Sequence, residues 1–133
     1  MKAVFADTFY FLALLNRRDP HHARAVAASR TPDLRLVTTE FVLLELADAL
    51  NKPHHRDDVI AVWRLAETDP SFELVRATSE LLLRGRARYQ ERRDKEWPLT
   101  DCISFLVMEE RGLTEVLTAD RHFEQAGFRP LLA

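Results

Sequence analysis

Four carboxylates stand where phosphate chemistry is commonly built. Asp7 directly follows the apolar run Lys2–Ala6, and Asp120 lies just past the run Glu115–Thr118. Asp101 falls in the first turn of an apolar helical stretch, and Glu45 interrupts FVLLELADAL, whose other members are almost all apolar. A carboxylate removed from water needs a cation, a hydrogen-bond network or a proton. Held close together, such groups repel, and a divalent ion such as Mg²⁺ or Mn²⁺, which prefers oxygen ligands, relieves that repulsion. A site of this kind hydrolyses phosphodiesters with water as the nucleophile and needs no Ser, Cys or His. Each acid also has an ordinary reading. Asp7, Asp101 and Asp120 occupy helix starts, where aspartate caps free N–H groups and suits the helix dipole. Glu45 and Asp48, three residues apart, can share an exposed stripe. Convergence of the four in space separates the two readings.

The elements that must position them follow from pattern. Strands are expected at Lys2–Ala6, Arg35–Thr38, Phe72–Val75, Glu115–Thr118 and Arg129–Leu132. Helices are expected at Thr8–Leu15, at His21–Ser29, and from Glu40 to about Leu50 behind a cap at Thr38 or Thr39. Val59, Val62, Trp63 and Ala66 fall at i, i+3, i+4 and i+7, which predicts a helix closed by Asp69-Pro70. Thr78 or Ser79 opens a long helix that Trp97-Pro98 interrupts. Thr100 is the expected cap of a helix reaching Arg111, with Gly112 at its end, and a short helix runs from Asp120 to near Gly127. Short apolar runs alternating with helices predict an α/β domain with a mainly parallel sheet. In such sheets chemistry gathers at the carboxyl ends of the strands.

The 133 residues suit one compact domain spanning 1–133. With 47% hydrophobic and 30% charged residues, the chain has material for a core and for a soluble surface. Only 3 glycines and 6 prolines argue against a turn-rich all-β fold. The longest apolar run, Phe9 to Leu15, is too short to span a bilayer, and the first residues do not resemble a signal peptide. The single Cys102 allows no internal disulfide and no Cys-based zinc site, which suits a reducing cytoplasm; a small buried hydrophobe is its ordinary role.

A net charge of -2 gives no global positive field. Yet Arg84 to Lys95, RGRARYQERRDK, carries six basic residues against two acids. It reads either as a solvated helix face or as a phosphate-binding rim formed by Arg86, Arg88, Arg92 and Arg93. Trp97, beside this stretch, is the candidate for stacking on a base, while Trp63 belongs to the apolar stripe of its helix. His21-His22 and His54-His55 are adjacent rather than spaced for a shared ligand, so solvated helix starts are expected. Phe9, Tyr10 and Phe11 suit core or dimer packing.

The segments FADTFYFLALL, TTEFVLLELADAL and WPLTDCISFLVMEERGLTEVLTADRHFEQAGF, in this order, resemble the PIN-domain family. The likeness is strongest to the VapC-type toxins of bacterial and archaeal toxin–antitoxin pairs. It covers nearly the whole chain, and the last segment is its most specific part. The resemblance implies a PIN-like α/β/α sandwich with a central, mainly parallel sheet, and endonucleolytic cleavage of RNA with Mg²⁺ or Mn²⁺. Asp7, Glu45, Asp101 and Asp120 match the family's acidic positions, implying metal binding and catalysis. Thr118 matches a hydroxyl-bearing position that orients a ligand or water, and Asp94 stands where an accessory acid is conceivable. Implied partners are the RNA substrate, a cognate antitoxin whose tail occupies the acidic groove, and a second copy in a homodimer. An exposed apolar patch between Phe41 and Ala66 would support the dimer. Rival readings are a housekeeping RNA-processing nuclease, a non-catalytic RNA- or protein-binding module, and a nuclease acting on DNA or another phosphate ester.

Overall fold

The computed structural model describes residues 2–133. In chain order the elements are β1 (Lys2–Ala6), α1 (Thr8–Leu15), α2 (His22–Ser29), β2 (Leu34–Thr39), α3 (Glu40–Ala49) and α4 (Pro53–Thr68). They continue with β3 (Phe72–Val75), α5 (Ser79–Glu91), α6 (Leu99–Arg111), β4 (Glu115–Leu117), α7 (Arg121–Gln125) and β5 (Arg129–Pro130). The strands form one sheet in the order β3-β2-β1-β4-β5, and every pairing is parallel. Strands of a parallel sheet are covered on both faces and read as apolar runs rather than alternating ones. β1 shows this most clearly: it is central, and Val4, Phe5 and Ala6 are all fully buried.

From β1 the chain steps outward to β2 and β3, returns to β4 on the other side of β1, and ends at β5. Strand order therefore reverses between β1 and β4, and the connections that leave these two strands diverge to open a crevice. α1 packs on α2 and α3, and α3 on α4; α5 packs on α6, and α6 on α7. Right-handed crossovers send these two groups to opposite faces of the sheet. The groups meet where α3 touches α6.

α6 is the central helix of the second group. Every residue from Asp101 to Met108 is buried, so this helix has no solvated face along most of its length. It approaches α5 closely at Gly85, where a Cβ would overlap Ile103 Cγ1. Caps account for several boundaries. Thr39 Oγ1 accepts from the Val42 N–H at 3.0 Å, and Thr78 Oγ1 from the Leu81 N–H at 3.1 Å, which settles both pairs of candidates. α6 departs from expectation: its N-cap is Pro98, not Thr100. Pro98 carries a fixed φ of -60° suited to a helix entry, and Thr100 lies inside the first turn, its carbonyl accepting from Ser104 Oγ at 3.0 Å. Gly112 ends α6 at φ 65°, a left-handed conformation that glycine adopts without a Cβ penalty. β5 is shorter than expected, Arg129–Pro130, although the Leu131 and Leu132 N–H groups still donate to the Val116 and Thr118 carbonyls at 2.9 and 3.0 Å. Pro130 is tolerated because its nitrogen faces away from β4 at the sheet edge. Among the described residues, no helix is long and apolar enough to cross a membrane.

Candidate active site

The crevice between β1 and β4 gathers the carboxylates. Asp7 leaves the end of β1 and sits at the N-cap position of α1, yet its side chain makes no capping hydrogen bond. Capping therefore does not explain this residue. It is 4% exposed, its Oδ2 accepts from Thr118 Oγ1 at 3.0 Å, and its Oδ1 is buried with no hydrogen-bond partner among the described residues. Thr118, just past β4, is fully buried, and its hydroxyl also accepts from the Asp120 N–H at 3.1 Å. Asp120 does cap: its Oδ1 accepts from the His122 N–H at 2.9 Å at the start of α7.

Glu45 and Asp101 arrive from the two helices that meet across the crevice. Glu45 is half-buried while Asp48 is exposed, so the shared exposed stripe is not what forms. Thr8 Oγ1 donates to Glu45 Oε1 at 2.5 Å, which ties α3 to the first turn of α1. Asp101 is 5% exposed at the first turn of α6. Its Oδ2 lies 3.1 Å from His122 Nδ1, which is also 3.2 Å from Asp120 Oδ1.

Charge coupling links the four acids, although Asp7 and Glu45 lie outside the close group formed by Asp101, Asp120 and His122. Burial, and then the charge of Asp101, pushes Asp7 up to about 8; the Thr118 hydroxyl and the nearby Thr8 N–H oppose the rise, and Glu45 adds slightly to it. Burial pushes Asp101 up to about 7, followed by repulsion from Asp120 and from Glu45. A helix N-terminus favours a negative charge by only about 1 kcal/mol, so desolvation and repulsion prevail at Asp101. The donor set fits a hard divalent cation. Carboxylate oxygens crowd together at a cost that positive charge removes, and Asp7 Oδ1 is a buried acceptor that the protein itself leaves unsatisfied. Asp101, Asp120 and His122 can offer three ligand atoms within 4.8 Å of one another.

His122 is the residue that sequence reasoning missed. The available signal was its place two residues after Asp120 at a helix start, but its approach to Asp101 depends on where α6 arrives. Asp94 is not brought into the cluster. It is exposed and accepts from Arg92 Nε and Nη2, both at 3.0 Å, and that guanidinium holds its carboxyl below the usual range.

The base-stacking expectation for Trp97 is corrected. The indole is 5% exposed, meets the Phe105 ring edge-on at a 5.0 Å centroid distance, and donates from Nε1 to Gln125 Oε1 at 3.0 Å. The Arg92 guanidinium covers the ring at 4.9 Å, so no face is left for a base. Two of the four arginine candidates are engaged with acids: Arg92 with Asp94, and Arg88, whose guanidinium donates twice to Glu109 at 2.8 and 3.1 Å. Arg86 and Arg93 are exposed, with no acidic partner among the described residues. Arg93 and Lys95 line one surface depression with Trp97, and Lys95 also lines a second with Arg121 and His122. Glu96 lines both depressions and Asp94 the second, so the margin of the crevice is of mixed charge. Its cations include Lys95 and Arg121, which the sequence did not single out, and Arg121 lies 3.8 Å from Glu96.

Of the other four histidines, His54 and His55 pack ring against ring at 4.0 Å at the start of α4, and His21 and His22 serve structure. His21 and His22 are half-buried rather than solvated: His21 meets the Phe9 ring at 4.9 Å, and His22 Nδ1 lies 2.8 Å from the Ala13 carbonyl. Each therefore anchors the start of α2 against α1.

Comparison with known proteins agrees with this fold. The PIN domain family matches residues 4–129. The 23S rRNA-specific endonuclease VapC20 of Mycobacterium tuberculosis, from strains CDC 1551 and H37Rv, is 33% identical over 129 residues. Those alignments cover 94% of this chain and 95% of the relative. A crystal structure of Mycobacterium tuberculosis VapC20, described as a sarcin–ricin loop cleaving toxin, matches with a TM-score of 0.80 and 25% identity. It covers 94% of this chain and 95% of the other. A family match over almost the full length, on a parallel sheet whose switch-point crevice holds the acids, means that this chain belongs to the PIN-domain family.

Proposed function

We propose that this chain is a metal-dependent endoribonuclease of the VapC type, in which Asp7, Glu45, Asp101 and Asp120 hold Mg²⁺ or Mn²⁺ and ribosomal RNA is cut. The observation that carries the reading is Asp7: a buried carboxylate at the switch point, hydrogen-bonded through one oxygen and unsatisfied at the other. A buried carboxyl in that condition calls for a proton or a cation, and the neighbouring acids favour a cation. Held by these acids, a divalent cation would supply Lewis-acid polarisation of a phosphate and would lower the pKa of water toward neutrality.

The protein's own groups have separable tasks. Thr118 fixes Asp7 Oδ2, leaving Oδ1 as the unpartnered oxygen, and it holds the backbone of Asp120 through the same hydroxyl. Thr8 holds Glu45 against the end of β1. Arg93, Lys95 and Arg121, on the margin, attract the phosphates of an incoming strand and offset the repulsion between RNA and the acidic crevice. Asp94 orients Arg92 rather than acting at the scissile bond.

The relative's target makes a sarcin–ricin loop RNA the first substrate to try. A toxin of this type works in the cytoplasm and is silenced by a cognate antitoxin whose tail enters the acidic crevice. A homodimer is supported by Leu44 and Ile60, 54% and 53% exposed on α3 and α4, with Leu82, Leu83 and Tyr89 exposed on α5.

The test is incubation of the purified protein with sarcin–ricin loop RNA, unstructured RNA and DNA, in Mg²⁺, Mn²⁺ or EDTA, beside Asp101→Asn. Metal-dependent cutting of RNA that vanishes in the variant is the expected result. Cutting that persists in EDTA or in Asp101→Asn overturns the assignment. Tight RNA binding without turnover in any metal establishes instead a binding module on a nuclease fold.

A further inference from the structure

We infer that His122 is a metal ligand, adding a nitrogen to the carboxylate set and biasing the Asp101–Asp120 half of the crevice toward Mn²⁺ over Mg²⁺. The inference rests on the metal-dependent reading above and refines it.

The geometry points to a shared central object. His122 Nδ1 lies 3.1 Å from Asp101 Oδ2 and 3.2 Å from Asp120 Oδ1. These two carboxylates come from different elements, α6 and the end of β4, and repel each other. A ring nitrogen has one in-plane direction in which to offer a proton or a lone pair, so Nδ1 itself serves only one of the two oxygens at a time, although Asp120 Oδ1 also holds the His122 N–H. A cation satisfies all three donors at once. Neighbouring donors on an octahedral ion, each about 2.1 Å from it, stand about 3 Å apart, close to the spacing already present. The ring is also held in place from its own backbone, because the His122 N–H donates to Asp120 Oδ1 at 2.9 Å. Independently of this trio, Asp7, whose charge is coupled to that of Asp101, keeps a buried Oδ1 with no hydrogen-bond partner among the described residues.

The choice of ion follows from ligand chemistry. Mg²⁺ prefers oxygen donors and gives up its waters reluctantly, while a first-row transition ion accepts imidazole together with carboxylate. Among such ions Mn²⁺ is the one that remains at home with mainly oxygen ligands. An all-carboxylate crevice has no basis for that preference. His122 provides one.

The test is electron spin echo spectroscopy of the Mn²⁺-loaded protein, with calorimetric titrations of Mn²⁺ and Mg²⁺, on the wild type, His122→Ala and His122→Gln. The wild type should show a directly coordinated nitrogen coupled to Mn²⁺, absent from both variants. Mn²⁺ affinity should fall about tenfold or more in the variants, and Mg²⁺ affinity by much less. A thermal melt of each metal-free variant confirms that the fold survives. Mn²⁺ binding without nitrogen coupling, or equal losses for both ions, overturns the ligand role and leaves His122 as a clamp between the two carboxylates, with the nuclease reading intact. Absence of Mn²⁺ binding to the wild type overturns both.

Discussion

The hydroxyl of Thr118 stands 3.0 Å from Asp7 Oδ2 and spans the crevice between β1 and β4, where strand order reverses. The same oxygen accepts the Asp120 N–H at 3.1 Å, so one fully buried hydroxyl sets the position of two acids. Thr118→Val keeps the shape and removes both hydrogen bonds. It should lower stability by about 1–2 kcal/mol in urea denaturation and weaken metal binding about tenfold or more. Thr118→Ser retains the oxygen and should restore metal binding. Equal metal affinity in wild type and Thr118→Val would show that the hydroxyl does not position the site.

The acids make the metal-free fold sensitive to pH. Asp7 and Asp101 are raised from an ordinary 3.8 to about 8 and about 7, so the folded state keeps protons that the unfolded chain has released. Their contribution to stability is fully present below about pH 4 and is lost as pH rises through 7 and 8. Each group adds a slope of up to about 1.4 kcal/mol per pH unit within that window. Urea denaturation in EDTA should therefore show stability falling between pH 5 and 8, and Asp7→Asn should flatten the fall. Excess Mn²⁺ or Mg²⁺ should reverse it, because a cation favours the ionised carboxylates. Wild-type stability that climbs across this range in EDTA would contradict the buried cluster.

Asp101→Asn separates catalysis from folding. The substitution keeps the volume of a side chain that is 5% exposed and removes a charge that burial and Asp120 both oppose. In EDTA at pH 8 its Tm should be several degrees above that of the wild type, an effect of the order of 1 kcal/mol or more. Added metal should raise the Tm of the wild type but not that of the variant, and RNA cleavage should drop to background. Lost cleavage together with a lower Tm would indicate a damaged fold instead.

Much of this arrangement was legible in the chain. The apolar run KAVFA marks a central parallel strand directly, because both of its faces are covered, FELV marks a half-buried edge strand, and Asp7 and Asp120 declare themselves by following strand ends. What was not legible depends on distant partners. Trp97, beside a proline and a basic run, looks like a surface residue, and only Phe105 and Gln125, folded in from α6 and α7, bury it. Asp94 looks like a neighbour of Asp101 in sequence, but the turn after α5 directs it to Arg92. His122 acquires its place from the first turn of α6, twenty-one residues earlier in the chain.

The basic stretch divides by partner, and the division can be measured. Arg88 is tied to Glu109 by two hydrogen bonds between α5 and α6, whereas Arg93, exposed on the margin near Lys95, has no acidic partner among the described residues. A paired, partly exposed arginine serves helix packing and contributes about 0–1 kcal/mol. An unpaired one beside an acidic crevice is free to meet phosphate. RNA binding should be followed on the non-cutting Asp101→Asn background over a range of salt concentrations. Arg93→Ala should weaken binding and lower the slope of log affinity against log salt by about 0.7, the value of one phosphate contact on a single strand. Arg88→Ala should leave that slope unchanged and lower the Tm slightly. The reverse pattern, a changed slope for Arg88 and none for Arg93, would place the RNA path along the α5–α6 face and away from the Lys95–Arg121 margin.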